Sequence, residues 1–216
     1  MSVYMTEDEQ VEQIKKWWRQ YGNSILTVIL LIALVFTGWR WWQQRQFKIA
    51  TNAAVVYERL LEGVVEKDAS GVSANANTLL TQYASSPYAA LAALNLAKEA
   101  VTQQQYDVAL KHLQWVVDNA DIPALKQIAR IRSASIMLSQ QKAQQALEIL
   151  AKVNDKTYDP ITSEMRGDSY VMLGDEGKAK QAYQLALQST SNSAIPRPLL
   201  KMKLNNLSAV KPHATA

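Results

Sequence analysis

The sequence predicts an all-α protein: one N-terminal transmembrane helix followed by a solenoid of helical hairpins. Three observations carry this. The first is 19 uncharged residues, from Tyr21 to Trp39. The second is the residue usage after position 43, rich in Ala, Gln, Leu and Lys, with Gly and Pro only at sparse, cap-like places. The third is a recurring small-apolar pattern in the second half of the chain. The 216 residues are 48% apolar, enough for a sizeable core, which excludes wholesale disorder. There is no cysteine, which excludes a disulfide scaffold, a thiol nucleophile and a thiolate zinc site. The two histidines, His112 and His213, are far apart, so a His-rich metal centre is not expected.

The uncharged segment spans ~28 Å as a helix, close to the hydrocarbon thickness of a bilayer. Trp17, Trp18 and Tyr21 precede or open it, and Trp39, Trp41 and Trp42 close it. Such aromatic belts sit at the two membrane interfaces, and these six residues are the expected anchors to the lipid bilayer. A cleavable signal peptide would be shorter and would end in small residues. Here the apolar run meets Trp39-Arg40-Trp41-Trp42, which predicts an uncleaved signal-anchor. Lys15, Lys16 and Arg19 lie before the span, and Arg40, Arg45 and Lys48 after it, so charge alone orients it only weakly. The short tail is favoured inside, because long domains cross largely regardless of charge. The expected organisation is a cytoplasmic tail over 1–20, the span over 21–42, a helical domain over 43–207 and a disordered tail over 208–216. In the first tail Thr6 can cap a helix whose first turn holds Glu7, Asp8 and Glu9, with Val11, Ile14, Trp18 and Tyr21 on one face.

Beyond the span the pattern predicts helices near 47–67, 72–84, 87–103, 105–119, 123–139, 142–153, 160–173, 176–189 and 196–207. The first continues from the membrane helix, because residues 40–48 hold no breaker. Ser86-Pro87 and Asp159-Pro160 each place a capping side chain before a proline suited to a first helical turn. Asp121 and Pro123 mark another start, and Gly174 and Gly177 bracket a tight turn. Ala109, Ala146 and Ala182 recur at separations of 37 and 36, each opening a helical face of small and apolar residues. A period near 34 with paired helices is the tetratricopeptide signature, here slightly long and without most consensus Trp, Gly and Pro positions.

The chain resembles the YfgM-type ancillary subunits of the bacterial SecYEG translocon. The resemblance runs over nearly the whole chain. It rests on Glu9-Gln10-Val11-Glu12, Lys15-Lys16-Trp17-Trp18, Tyr21-Gly22 and Gly38-Trp39-Arg40, then on the run from Pro87 to Leu94 and on Ile128-Ala129-Arg130-Ile131-Arg132. Arg166-Gly167-Asp168, Gly174-Asp175 and Lys203-Leu204-Asn205-Asn206-Leu207 complete it. No piece is specific alone; their order is. The resemblance implies an inner-membrane anchor, a periplasmic tetratricopeptide-like domain, and partners that include the translocon and periplasmic chaperones or foldases, with secretory client chains nearby.

Catalytic chemistry finds no support in the residues. Gly174-Asp175-Glu176-Gly177-Lys178 lacks the spacing and the preceding strand of a phosphate loop. His112 has no evident Ser or Asp partner and reads as a solvated or rim residue. Glu58, Glu62 and Glu66 share one helix face, with Arg59 and Lys67 beside them, and read as a solvated charged face. Arg166-Gly167-Asp168, in a predicted helix, fits close helix contact at Gly167 with Arg166 or Asp168 bridging neighbours. No Lys/Arg stripe suggests nucleic acid, and no cofactor is expected. The preferred expectation is a non-catalytic, membrane-tethered scaffold. In an ideal tetratricopeptide register its groove would carry Leu94, Lys98, Val101, Ile131, Ser135 and Leu138. Trp115, the one tryptophan away from the span, reads foremost as packing between repeats and alternatively as an aromatic anchor for a partner. The competing expectation is a regulator of envelope stress or assembly, acting through the tail or the domain.

Overall fold

The computed structural model describes residues 7–189 and 197–209. Expectations for Thr6 and for residues 210–216 lie outside them. The described residues form helices and turns, as the residue usage predicts. Two compact units divide the chain, Met1–Thr51 and Asn52–Ala216.

In the first unit the backbone is helical from Glu7 onward, within α1 (Glu7–Glu66). Its apolar side chains face outward: Leu26 is 55% exposed and Val35 73%. A soluble helix would bury such residues, so the helix is suited to lipid, and it is long and apolar enough to cross a membrane. All six aromatic residues expected as anchors are exposed at the two ends of the apolar stretch. The two threonines in the stretch do not leave a polar group free. Thr27 donates to the Asn23 carbonyl at 2.8 Å, and Thr37 donates to the Ala33 carbonyl. The Arg45 guanidinium stands 5.8 Å over the Trp41 ring.

The second unit begins within the last turns of α1 and continues through α2 (Ala69–Gln82), α3 (Pro87–Thr102), α4 (Tyr106–Asn119) and α5 (Pro123–Ser139). Then follow α6 (Ala143–Leu150), a 3-10 turn at Lys156–Tyr158, α7 (Asp159–Met172), α8 (Glu176–Gln188) and α9 (Pro198–Ala209). From α2 to α9 contacts run from each helix to the next, and α5 also meets α7. This is the one-dimensional packing of a solenoid.

One turn geometry recurs four times. Lys67, Gln104, Gln141 and Gly174 are all left-handed, with φ of 60°, 58°, 61° and 76°. The next residue's amide closes a six-residue loop each time: Asp68 to Gly63, Gln105 to Ala100, Lys142 to Met137 and Asp175 to Tyr170, at 2.8–2.9 Å. This bond satisfies carbonyls that a helix end would leave open. The four turns make four hairpins, separated by 37, 37 and 33 residues. Only the last turn uses glycine, so the other three escape a search for Gly.

The turns give the true repeat register. Ala109, Leu113 and Val116 are buried, as are Ala146, Leu150 and Val153. Their counterparts in the last hairpin are Ala179, Tyr183 and Ala186. Ala182, expected to be the third small residue, is only half-buried, and the register shifts by three residues to Ala179. The helix opposite in each hairpin adjusts to these residues. Seven positions before the left-handed residue stand Leu60, Ala97, Ala134 and Gly167; nine after it stand Ala76, Leu113, Leu150 and Tyr183. Large faces small in the first three, and in the fourth a tyrosine faces a glycine. A Cβ on Gly167 would lie 2.2 Å from the Tyr183 Cε1.

Local chemistry explains the boundaries. Ser86 accepts from the Ala89 amide at 3.3 Å with Pro87 opening α3, as predicted. Asp68 starts α2 earlier than expected by accepting from the Ser70 amide at 3.1 Å. The Ser70 hydroxyl first, and then the Gly71 and Ser70 amides, hold its carboxyl below the usual range. Asp175 caps α8 through the Lys178 amide at 3.0 Å, so Gly177 lies inside the helix, not in the turn. Asp159 makes no side-chain cap, because it is already the first residue of α7. Asp121 likewise does not cap: Ile122 occupies that place, and Pro123 opens α5. The helix expected over 142–153 ends at Leu150, and tightened turns carry the chain on to Val153. α9 extends through Ala209, so Ser208 and Ala209 are helical where a disordered tail was expected.

The first hairpin also accounts for the carboxylate row. In later hairpins, the residue twelve before the turn is buried: Ala92, Ala129 and Thr162. Val55 holds this place in the first hairpin and is 45% exposed, with Glu58, Arg59 and Glu62 exposed beside it in sequence. A solenoid needs such a polar terminal face.

Candidate interaction groove

Turn register and helix phase place two residues of each leading helix outward. Six positions before the left-handed residue stand Leu61, Lys98, Ser135 and Asp168; three before it stand Val64, Val101, Leu138 and Val171. The outer residue is aliphatic in every hairpin. Consecutive hairpins enclose a cavity between the outer aliphatic residue of one and the inner residue of the next. Val64 and Lys98 line one of about 530 Å3, Val101 and Ser135 one of about 280 Å3, and Leu138 and Asp168 one of about 510 Å3. A groove with a repeated aliphatic contact therefore runs along the leading helices α3, α5 and α7.

Of the residues expected in that groove, Lys98, Val101 and Ser135 come together in the middle cavity, and Leu138 lines the last. Leu94 and Ile131 do not join them. They are 6% and 9% exposed and belong to two core clusters. Both lie ten positions before their turns, one helical turn further back along the same face, where neighbouring helices cover them. Trp115 is half-buried and packs on both the first and second hairpin clusters, which is its packing reading. The signal that would have found the missing groove residues Val64, Asp168 and Val171 is the spacing of the four turns.

His112 lines the first cavity beside Gln105 and Val108. Burial pushes its imidazole below the ordinary value. Among the described residues, no three His, Asp or Glu side chains could hold a metal ion.

The last cavity ends in a polar cluster. Lys203 of α9 donates to Asp168 at 2.7 and 2.8 Å and to Glu164 at 3.0 Å, and Arg197 reaches Glu164 at 3.4 Å. The Tyr183 hydroxyl donates to Asp168 at 2.7 Å. Burial lowers the Lys203 value, but the bonds to Asp168 and Glu164 outweigh it and hold the ammonium above the ordinary lysine range. Burial first, and then the Asp168 bond, raise the Tyr183 phenol well above its usual value. A group raised in this way stabilises the fold fully below its unfolded value and loses that contribution as pH rises. Stability is therefore expected to fall from about pH 10 upward. Tyr183→Phe should flatten part of that alkaline limb in urea titrations at successive pH values, while leaving the neutral region within about 1 kcal/mol. The Arg166 guanidinium donates to the Leu150 carbonyl at 3.0 Å, so all three residues of Arg166-Gly167-Asp168 join neighbouring helices, as expected.

The family model for the tetratricopeptide repeat-like domain matches residues 15–209. The chain is similar to proteins named ancillary SecYEG translocon subunit in several bacteria. The Haemophilus influenzae relative is 28% identical over 207 residues, covering 96% of this chain and all of the relative. The Neisseria gonorrhoeae relative is 29% identical over 208 residues and the Escherichia coli K12 relative 26% over 215, with the same coverage. No solved structure matches the chain. The similarity takes in the apolar helix as well as the hairpins, and the chain belongs to the tetratricopeptide repeat-like domain family.

Proposed function

We propose that this protein is a non-catalytic scaffold tethered in the bacterial inner membrane and associated with the SecYEG translocon. The observation that carries the reading is similarity along the whole length, apolar helix and hairpins together, to proteins named ancillary subunits of that translocon. The tail over 1–20 lies in the cytoplasm, the segment 21–42 spans the bilayer, and the domain over 43–207 stands in the periplasm. The exposed aromatic residues at both ends support the span, and the shortness of the tail supports its orientation, because long domains cross largely regardless of charge. Lys98, Val101, Ser135 and Leu138 face partners, joined by Val64, Asp168 and Val171. The groove receives segments of secretory chains or of the periplasmic chaperones and foldases that take them over. Tethering supplies the mechanism, because a groove held near an exit meets emerging chains at raised effective concentration. The test is purification of the full chain in gentle detergent, with associated proteins identified by mass spectrometry. A version with an unrelated span in place of 21–42 is the control. Enrichment of the translocon channel with the native chain supports the reading; reproducible recovery of other envelope proteins without the channel refutes it.

A further inference from the structure

We infer that the groove selects extended polypeptide segments that carry a carboxylate beside aliphatic side chains, and that Lys98 and Arg132 hold the carboxylate. The inference rests on the scaffold reading and specifies what its groove takes. Two neighbouring cavities share Lys98 as a common wall. The smaller also holds Arg132, with Val101 and Ile136 as its aliphatic contacts, and no acidic residue lines it. The larger adds Lys67 and His112 against one carboxylate, Glu99, which accepts from Gln103 at 2.9 Å. Among the described residues no ion pair involves Lys67, Lys98 or Arg132. The contrast with the third cavity is informative. There Asp168 stands where Lys98 stands in the second hairpin, and Lys203 neutralises it from within the chain. One end of the groove is thus internally neutralised, whereas the middle keeps uncompensated positive charge beside aliphatic walls. An occupant that complements both features is acidic and aliphatic within one short stretch. A hydroxyl at Ser135 and the Thr102 side chain supply further polar contacts in the same cavity. Arg132 offers a planar fork suited to two carboxylate oxygens, and Lys98 a point charge.

The test uses the full chain in detergent and fluorescein-labelled peptides with Gly-Ser flanks, read by anisotropy. The peptide centres are Leu-Glu-Leu, Leu-Gln-Leu and Leu-Lys-Leu. The acidic peptide is expected to bind at least about tenfold more tightly than the other two, with a preference that shrinks as salt rises. The double variant Lys98→Glu/Arg132→Glu should lose that preference and favour the Leu-Lys-Leu peptide. The milder Lys98→Gln/Arg132→Gln should bind the acidic and neutral peptides alike, and serves if the reversed charges impair folding by circular dichroism. A control with the same charge change outside the cavities, Lys111→Glu/Lys201→Glu, should keep the preference. Equal binding of the acidic and neutral peptides by the native chain, binding of none, or equal loss in the control overturns the inference. Recovery of the translocon channel with the native chain separates the two readings: equal peptide binding by the native chain with the channel retained sinks only the carboxylate inference, whereas absence of the channel from the native chain's purification sinks the scaffold reading.

Discussion

Gly167→Ala is expected to destabilise the hairpin domain by about 3 kcal/mol, the upper part of the usual range for overpacking. One added methyl has this effect because the Tyr183 ring occupies its place, with Cε1 at 2.2 Å and Cδ1 at 2.3 Å. The ring is 2% exposed, and its hydroxyl is fixed on Asp168 at 2.7 Å, so it cannot swing aside. Thermal unfolding should shift down by roughly 6–12 °C for a domain of this size. The other hairpins indicate the remedy, because they place Ala97 against Leu113 and Ala134 against Leu150 at the same register. Combining Gly167→Ala with Tyr183→Leu should recover much of the loss, giving a coupling of about 2 kcal/mol in a double-mutant cycle. Additive losses would show that the two positions do not compete for one space.

Leu200→Ala is expected to cost a similar amount, about 3 kcal/mol, because Leu200 is 1% exposed in the cluster that joins α9 to Tyr183 and Ala186 of α8. The effect should be confined to one end. Each hairpin leans on its neighbours, so hydrogen exchange should accelerate in α9 and α8 while the amides of α3 to α5 keep their protection. Lys203 lies one turn along the same helix, and freeing α9 also withdraws its bonds from Glu164 and Asp168. Those groups are partly exposed, so that share is expected to stay near 1 kcal/mol. Uniform acceleration across α3 to α9 would mean that the domain opens as one unit.

The sequence carries the helical elements clearly, because caps and helix formers act within a few residues. Ser86-Pro87 opens α3 as read, and the uncharged stretch between the tryptophans lies within one unbroken helix. What it hides is tertiary. The third repeat is misplaced at Ala182, because Tyr183 stands where leucine stands in the two preceding hairpins and obscures the match at Ala179. Leu94 was expected outward on helical phase alone, and neighbouring helices cover it, a fact that no local pattern contains. The middle of the groove was legible at Lys98, Val101 and Ser135. Its continuation to Asp168 and Val171 depended on left-handed turns, three of which use Lys or Gln where Gly would have announced them.

The neighbour-to-neighbour contact pattern has a kinetic consequence. Most contacts of the domain join helices next to each other in the chain, with α5 on α7, Tyr57 of α1 on α3 and Lys203 of α9 on α7 as short reaches beyond, so a hairpin closes a loop of only a few residues between its two helices. Contacts this local make loop closure cheap in entropy and assembly fast. A chain delivered from its N-terminus can complete its first hairpin once Gln82 has arrived, and each later pair then condenses on a finished surface. The last event is the arrival of α9, whose Lys203 seals the charges of α7. Until then, the Tyr183 end stays open.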